Sequence, residues 1–276
     1  MIKMVVKEVK EVKEVKDKCA IRRHCLNSLP PVYCLLILFT FYLSPFTLSA
    51  QSDSLDVKVR VGYNIGGTAP LPMPASIRSI DAFRLTPSFL VGGDVILPLG
   101  DKFGLSAGLH LENKGMDADV TVKSYSMEMK KGNSQISGLF TGHVSQQVTQ
   151  WMLSVPVSFR FQVSSVTFKI GPYFSLLLKK EFSGIASDGY LRQGDPTGPR
   201  IEIGNKEGEW ATYDFSDEMR SLQWGLGVGF DWHFSRHVGL SADLNWGLSG
   251  IFNSDFKTVE QTLYPIYGCI GLFYNL

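Results

Sequence analysis

WMLSVPVSFRF, residues 151–161, sends Trp151, Leu153, Val155, Val157, Phe159 and Phe161 to one side of an extended chain and Ser154, Pro156, Ser158 and Arg160 to the other. A period of two held over this length marks a β-strand with two unlike faces. It is also long enough for a tilted strand to cross a bilayer. Pro156 brings no N–H to a ladder, so the strand must be irregular there. If the next turn pairs Phe161 with Val166, Pro156 stands opposite Gly171, beside Pro172, and a bulge or a broken ladder is expected.

The same alternation recurs along the chain. Upstream it runs through 55–65, 85–97 and 103–111, and downstream through 166–176, 222–234, 238–248 and 264–276. The joins alternate in length: 98–102, 162–165 and 235–237 are short, whereas 66–84, 112–150, 177–221 and 249–263 are long. This pattern predicts an all-β fold, an eight-stranded antiparallel up-and-down transmembrane β-barrel with long extracellular loops and with the termini and short turns periplasmic. Val120, Val122, Met127 and Met129 keep some alternation before Lys130-Lys131-Gly132-Asn133, which predicts that the third and fourth strands continue above the bilayer as a hairpin. The third long join is expected to be an acidic loop, with nine Asp/Glu against four Lys/Arg over 181–220.

The apolar run at 33–48, YCLLILFTFYLSPFTL, follows Arg22 and Arg23 and precedes Ser49 and Ala50, which reads as a secretory signal cut before Gln51. An N-terminal membrane anchor is the alternative, and neither fits a cytoplasmic protein. The chain thus divides into an N-terminal extension and signal peptide, 1–50, and a barrel, 51–276. The Lys-Glu-Val repeats of the first twenty residues are long for a signal and fit a start codon placed too early. Removing 1–50 takes 8 of the 27 basic and 4 of the 26 acidic residues, leaving 19 against 22. A mildly acidic chain has nothing to attract nucleic acid. Cys19, Cys25 and Cys34 leave with the prepiece, so Cys269 alone can form neither an intrachain disulfide nor a cysteine metal site.

Alternation does not say which face is inside, but volume does. Eight strands enclose room for side chains or one small ligand, too little for the bulky apolar face. That face must meet lipid. Its aromatics sort by height, with Tyr63, Trp151, Trp224 and Trp246 near the long loops and Phe103, Phe161, Trp232 and Phe234 near the short turns, as two girdles would. The opposite face collects glycines with Lys58, Arg60, Arg84, Asp94, His110, Glu112, Arg160, Lys169, Asp231 and Asp243. Charges in a narrow lumen should pair into a plug, because an unpaired buried charge is costly. A narrow ion path lined by the same groups is the alternative.

Chemistry finds little support. Ser106, His110 and Glu112 share the lumen face, but residues four apart in a strand lie over about 10 Å apart, too far for a nucleophile and its base. The lipid face offers no Ser–His pair of the kind lipid A deacylases use. His143 with the acidic stretch 214–218 could imitate an omptin-like rim, yet solvated loop residues explain them as well. No calcium loop or phosphate cradle occurs, and no cofactor is expected.

The segments VGYNIGG (61–67), GLHLENKG (108–115), WMLSVPVSFRF (151–161), IGPYFSL (170–176), LNWGLSGIF (244–252) and YGCIGLFYNL (267–276) are similar to the PorT-like outer-membrane β-barrel family common in Bacteroidetes. The resemblance implies an eight-stranded barrel. The namesake of that family is tied to protein secretion, a role that transfers to no residue here. Leu276 departs from the aromatic terminus that barrel-assembly machinery reads. The expected partners are outer-membrane lipid, that machinery, and an extracellular or envelope protein of unknown identity. The sequence therefore predicts a non-enzymatic outer-membrane protein that binds or supports the envelope through its extracellular loops, with a narrow porin or a secretion accessory as the second reading.

Overall fold

The computed structural model describes residues 55–276 except 133, 195, 207, 257 and 260. The signal segment, the Lys-Glu-Val stretch, Cys19, Cys25 and Cys34 lie outside the described residues. The fold is all-β and antiparallel. Its strands are β1 (Asp56–Pro70), β2 (Ile77–Leu85), β3 (Phe89–Pro98), β4 (Phe103–Lys131), β5 (Ser134–Val163), β6 (Val166–Gln193), β7 (Arg200–Ile203), β8 (Ala211–Asp214), β9 (Leu222–His233), β10 (Val238–Gly247) and β11 (Leu263–Asn275).

Eight of these pair in a cycle: β1 with β3, then β4, β5, β6, β9, β10 and β11, which pairs with β1. Each therefore has a strand neighbour on both sides within the ring, which for β1 is the stretch Asp56–Tyr63. Burial has the strands' period and the reverse of a soluble protein's sense. Val61, Leu109 and Ile170 are more than half exposed, whereas Lys58 and Asp231 are wholly buried. Aromatic side chains touch on the outer face, Phe103 stacked on Phe161 across the β4–β5 ladder at 5.1 Å and Trp232 edge-on to Phe234 along the chain at 4.7 Å.

The β5–β6 turn is tighter than the sequence predicts. Val163 pairs with Val166 around Ser164 and Ser165, with Ser164 at φ 57°, so Phe161 faces Phe168 and Pro156 faces Tyr173 rather than Gly171. A slip of two leaves every side chain on its expected face. At Pro156 the ladder breaks without a bulge. Paired positions jump from Ala107–Val157 to His110–Ser154 on the β4 side, and from Pro156–Tyr173 to Phe159–Ile170 on the β6 side, in unchanged register. Pro156 and Pro172 each withhold a donor, but no residue is inserted, so the strand stays extended.

The larger departure lies above the ring. β4, β5 and β6 run on to 29, 30 and 28 residues, so most of what reads as loop is strand. β8 pairs with β6 over 183–186 and touches β4 at Lys130–Thr212, bridging the tip of β4 to the middle of the β6 extension. Their inner faces, with residues brought in from 215–219 and 251–252, bury Met127, Met129, Phe140, Val148, Phe182, Ala186, Tyr213 and Ile251 in one apolar core. Phe182 meets Phe252 edge-on at 4.9 Å and stacks on Phe215 at 6.2 Å. The predicted hairpin is present, Lys131 pairing with Ser134 across Gly132 at φ 58°. The predicted third loop is instead β7, β8 and the upper half of β6.

Candidate functional site

The interior of the ring is built from the strand faces opposite the apolar ones. Lys58 on β1 places Nζ 2.5 Å from Asp231 Oδ2 on β9 and 3.8 Å from Asp94 on β3. Arg60 holds Asp243 and lies 3.8 Å from Asp94. Lys169 stands between Asp231 and Asp243 at 2.7 and 2.8 Å, and Arg160 reaches Asp231 at 3.2 Å. His110 Nε2 lies 2.9 Å from Asp94 Oδ1. Four cations thus meet three carboxylates and an imidazole, all buried or nearly so. The fold makes room for them with glycine: a Cβ at Gly108 would lie 2.2 Å from Asp94 Oδ1, and one at Gly229 2.0 Å from Asp243 Oδ1.

A second polar layer sits nearer the extension. Ser154 donates to Glu112 at 2.5 Å and touches Ser175 at 2.7 Å, while Lys114 pairs with Glu112 at 3.2 Å and lies 5.5 Å from the ring centres of both Tyr173 and Tyr267. Gln150 and Gln223 are buried beside these strands. Sequence reasoning missed Lys114 because it ended the strand at Leu111. Continued by parity, the strand would have brought Lys114 to the same face as Glu112.

Arg84 is the correction among the lumen residues. Its side chain is 62 % exposed and pairs with Asp119 at 2.8 Å, outside the ring. The segment read as one strand from Leu85 onward breaks at Thr86-Pro87-Ser88, and Arg84 falls on β2, which pairs with the β4 extension. Asn113 fixes the break by accepting from Phe89 N–H at 2.6 Å and donating to the Pro87 carbonyl at 2.9 Å. The aromatic residues expected in girdles, Tyr63, Trp151, Trp224, Trp246, Phe103, Trp232 and Phe234, are all on the exposed face, and Phe161 is half-buried there.

Among the described residues, the Ser–His–acid sets considered from the sequence are not brought together. His110 is held by Asp94, and Ser154 bonds to Glu112 and to Ser175. The polar partners of His143 lie outside the acidic stretch: its Nδ1 is 3.4 Å from Asp81 and 3.1 Å from the Thr121 hydroxyl. Thr121 and Asp81 thus share one ring nitrogen on an open surface, so Thr121 is no nucleophile presented to a free Nε2. Hydrogen bonds from Ser79 and then Thr121 hold the Asp81 carboxyl below its ordinary range. Asp214 is likewise lowered by Ser216.

An all-β cycle with apolar side chains outward and paired charges inward defines an outer-membrane β-barrel. The chain belongs to the outer membrane protein beta-barrel domain family, whose model matches residues 49–253. Among solved structures it is similar to Ail, the attachment invasion locus protein of Yersinia pestis, in complex with the heparin analogue sucrose octasulfate, at 9% identity over 81% of this chain and 99% of that one with a TM-score of 0.36. It is also similar to OprG from Pseudomonas aeruginosa, at 13% identity over 81% and 96% with a TM-score of 0.32. The translocator domain of the autotransporter NalP from Neisseria meningitidis is 12% identical over 88% and 95%, with a TM-score of 0.25. No curated protein matches the chain.

Proposed function

We propose that this outer-membrane protein is a non-enzymatic eight-stranded transmembrane barrel whose lumen is a plug and whose working part is the strand-built module above it. In this reading the chain is exported through a signal segment ending near Ala50, inserted by the barrel-assembly machinery, and oriented with its termini and short turns periplasmic. The module then stands outside the cell, where it binds a surface or envelope partner. The observation that carries the reading is the module's apolar core around Phe182, Tyr213 and Phe252, packing that a mere connection does not need. The sequence segments shared with PorT-like barrels support placing the chain in that branch of the family.

A conducting pore is the second reading. Against it stands the void among Asp94, His110, Arg160 and Asp243, about 50 Å³, which is room for one or two waters. Planar-bilayer recording of the purified protein is the test. A folded, heat-modifiable barrel with no steady conductance supports the plug, and a reproducible ohmic conductance whose ion selectivity changes in a folded Asp94→Asn variant would establish the pore. Replacing 118–146 and 181–218 with short turns should leave an inserted barrel that has lost its surface crosslinks; a variant that no longer inserts would refute the division of labour.

A further inference from the structure

The wall of the ring carries a seam. β1 pairs with β3 only from Asp56 to Tyr63, while its upper end continues along β11 to Pro70. β2 takes the next place beside β4 and pairs with β4 alone. The Asn64 N–H donates to the Ser88 carbonyl at 2.8 Å, and above that bond no backbone hydrogen bond joins β1 to β2 among the described residues. Side chains close the gap instead. Phe83 lies over Gly67, where an added Cβ would come within 2.9 Å of its Cζ, and Met116 Sδ lies 3.1 Å from the Thr68 amide nitrogen.

Behind this side-chain closure is a cavity of about 130 Å³, lined by Ile80, Phe83, Met116, Ala118, Met127 and Leu263 among other mostly apolar groups. A dry apolar cavity of this size takes up a benzene-sized molecule or the end of an alkyl chain. Two of its walls face outward as well: Ile80 and Phe83 are about half exposed, and with Leu85 they carry the apolar outer face of β3 upward past the break at Pro87. An apolar track thus leads from the lipid-facing belt to the seam, and the thioethers of Met116 and Met127 adapt readily to a flexible chain.

We infer that the β1–β2 seam admits one aliphatic chain end, which seats beside Met116 and Met127 behind Phe83. The ligand is an acyl chain, supplied by a membrane lipid or by a free fatty acid. This deepens the surface-binding reading and rests on it for the position of the seam above the bilayer.

The test uses the full barrel, labelled with 13C-methyl methionine, in phospholipid nanodiscs. In one arm the lipid is fully deuterated and protonated decanoate is added; in the other the lipid is protonated and nothing is added. NOEs from the Met116 and Met127 methyls to chain methylene protons are expected in the first arm if a free acid is the source, and in the second if a lipid is. Met152 and Met219, which do not line the cavity, serve as references and should show none. Ala118→Leu, or Val120→Leu if that variant folds poorly, should abolish the contacts. A folded, inserted barrel with no NOE at Met116 or Met127 in either arm overturns the inference, as do NOEs equal at Met152, while the surface-binding reading stands or falls separately on the module-deletion crosslinks.

Discussion

Lys58 on β1 and Asp231 on β9 are 173 positions apart and meet at 2.5 Å inside the ring, both fully buried. Asp231 also faces Lys169 and Arg160, so one carboxylate offsets three cations. Asp231→Asn leaves them short of a partner, and removing one member of a buried ion cluster costs about 3–5 kcal/mol. The expected result is a lower unfolding midpoint in detergent, read by heat-modifiable gel mobility. Lys58→Met added to Asp231→Leu should recover part of the loss.

Glycine on the inner face is a packing requirement, and its outer-face counterpart is not. Gly229→Ala drives a methyl into Asp243 and should cost about 1–3 kcal/mol by overpacking. At Gly93, on the outer face, an added Cβ would find nothing nearer than the Lys58 carbonyl at 3.5 Å, so Gly93→Ala should be nearly neutral. Urea titration of the two variants side by side checks the contrast.

The broken ladder at Pro156 should be visible in solution. Ser158 and Gly171 keep a partner on one side only, Ser106 and Gly227, whereas Phe159 and Phe161 are paired on both sides. Faster hydrogen exchange at the first two than at the second two is expected, with exchange equal at all four as the contrary result.

How far the sequence could be read follows from what disturbs a period of two. Below the outer aromatic level nothing does, so 151–161 and its counterparts declare both faces and even a misplaced turn leaves parity intact. In the extension, register shifts at Trp151/Met152 and at Thr141/His143, the second opposite a strand in which Asp188 takes φ 48°, each reset which side chains point inward. Leu177, Phe182, Ala186 and Leu191 are then buried at spacings of five, four and five, and the two odd steps break the alternation. Arg84 failed for a related reason: Pro87 ends one strand and starts another with different neighbours. The lumen charges were readable by parity, but which of them pair depends on the closure of the ring, which brings β1 against β9 residues.

The module's core should be separable from the barrel. Phe182→Ala removes a ring that touches Tyr213, Phe215 and Phe252, and a buried Phe→Ala change costs about 3–5 kcal/mol. Protection of amides in 183–191 should fall while that in 222–233 and heat-modifiable mobility are unchanged.

Acid should loosen the module's outer surface through Asp81. Its carboxyl is held below the ordinary 3.8 by Ser79 and Thr121, so its contribution is present above that pH and disappears as the pH falls through the lowered value. Thr121→Val should move the Asp81 titration back toward 3.8, followed by carboxylate carbon NMR.

The central claim is that the odd-numbered face of 151–161 lies against lipid. Spin labels placed singly on a Cys269→Ser background at positions 151, 153, 155, 157, 159 and 161, and at Ser154 and Ser158 as inward references, test it directly through collision with oxygen and with a water-soluble nickel chelate. Oxygen contact highest at Val155 and Val157 and low at Ser154 and Ser158, with the chelate excluded from the odd positions, is the expected result. Chelate contact at Val155 and Val157 as strong as at Ser164 in the turn would contradict the account.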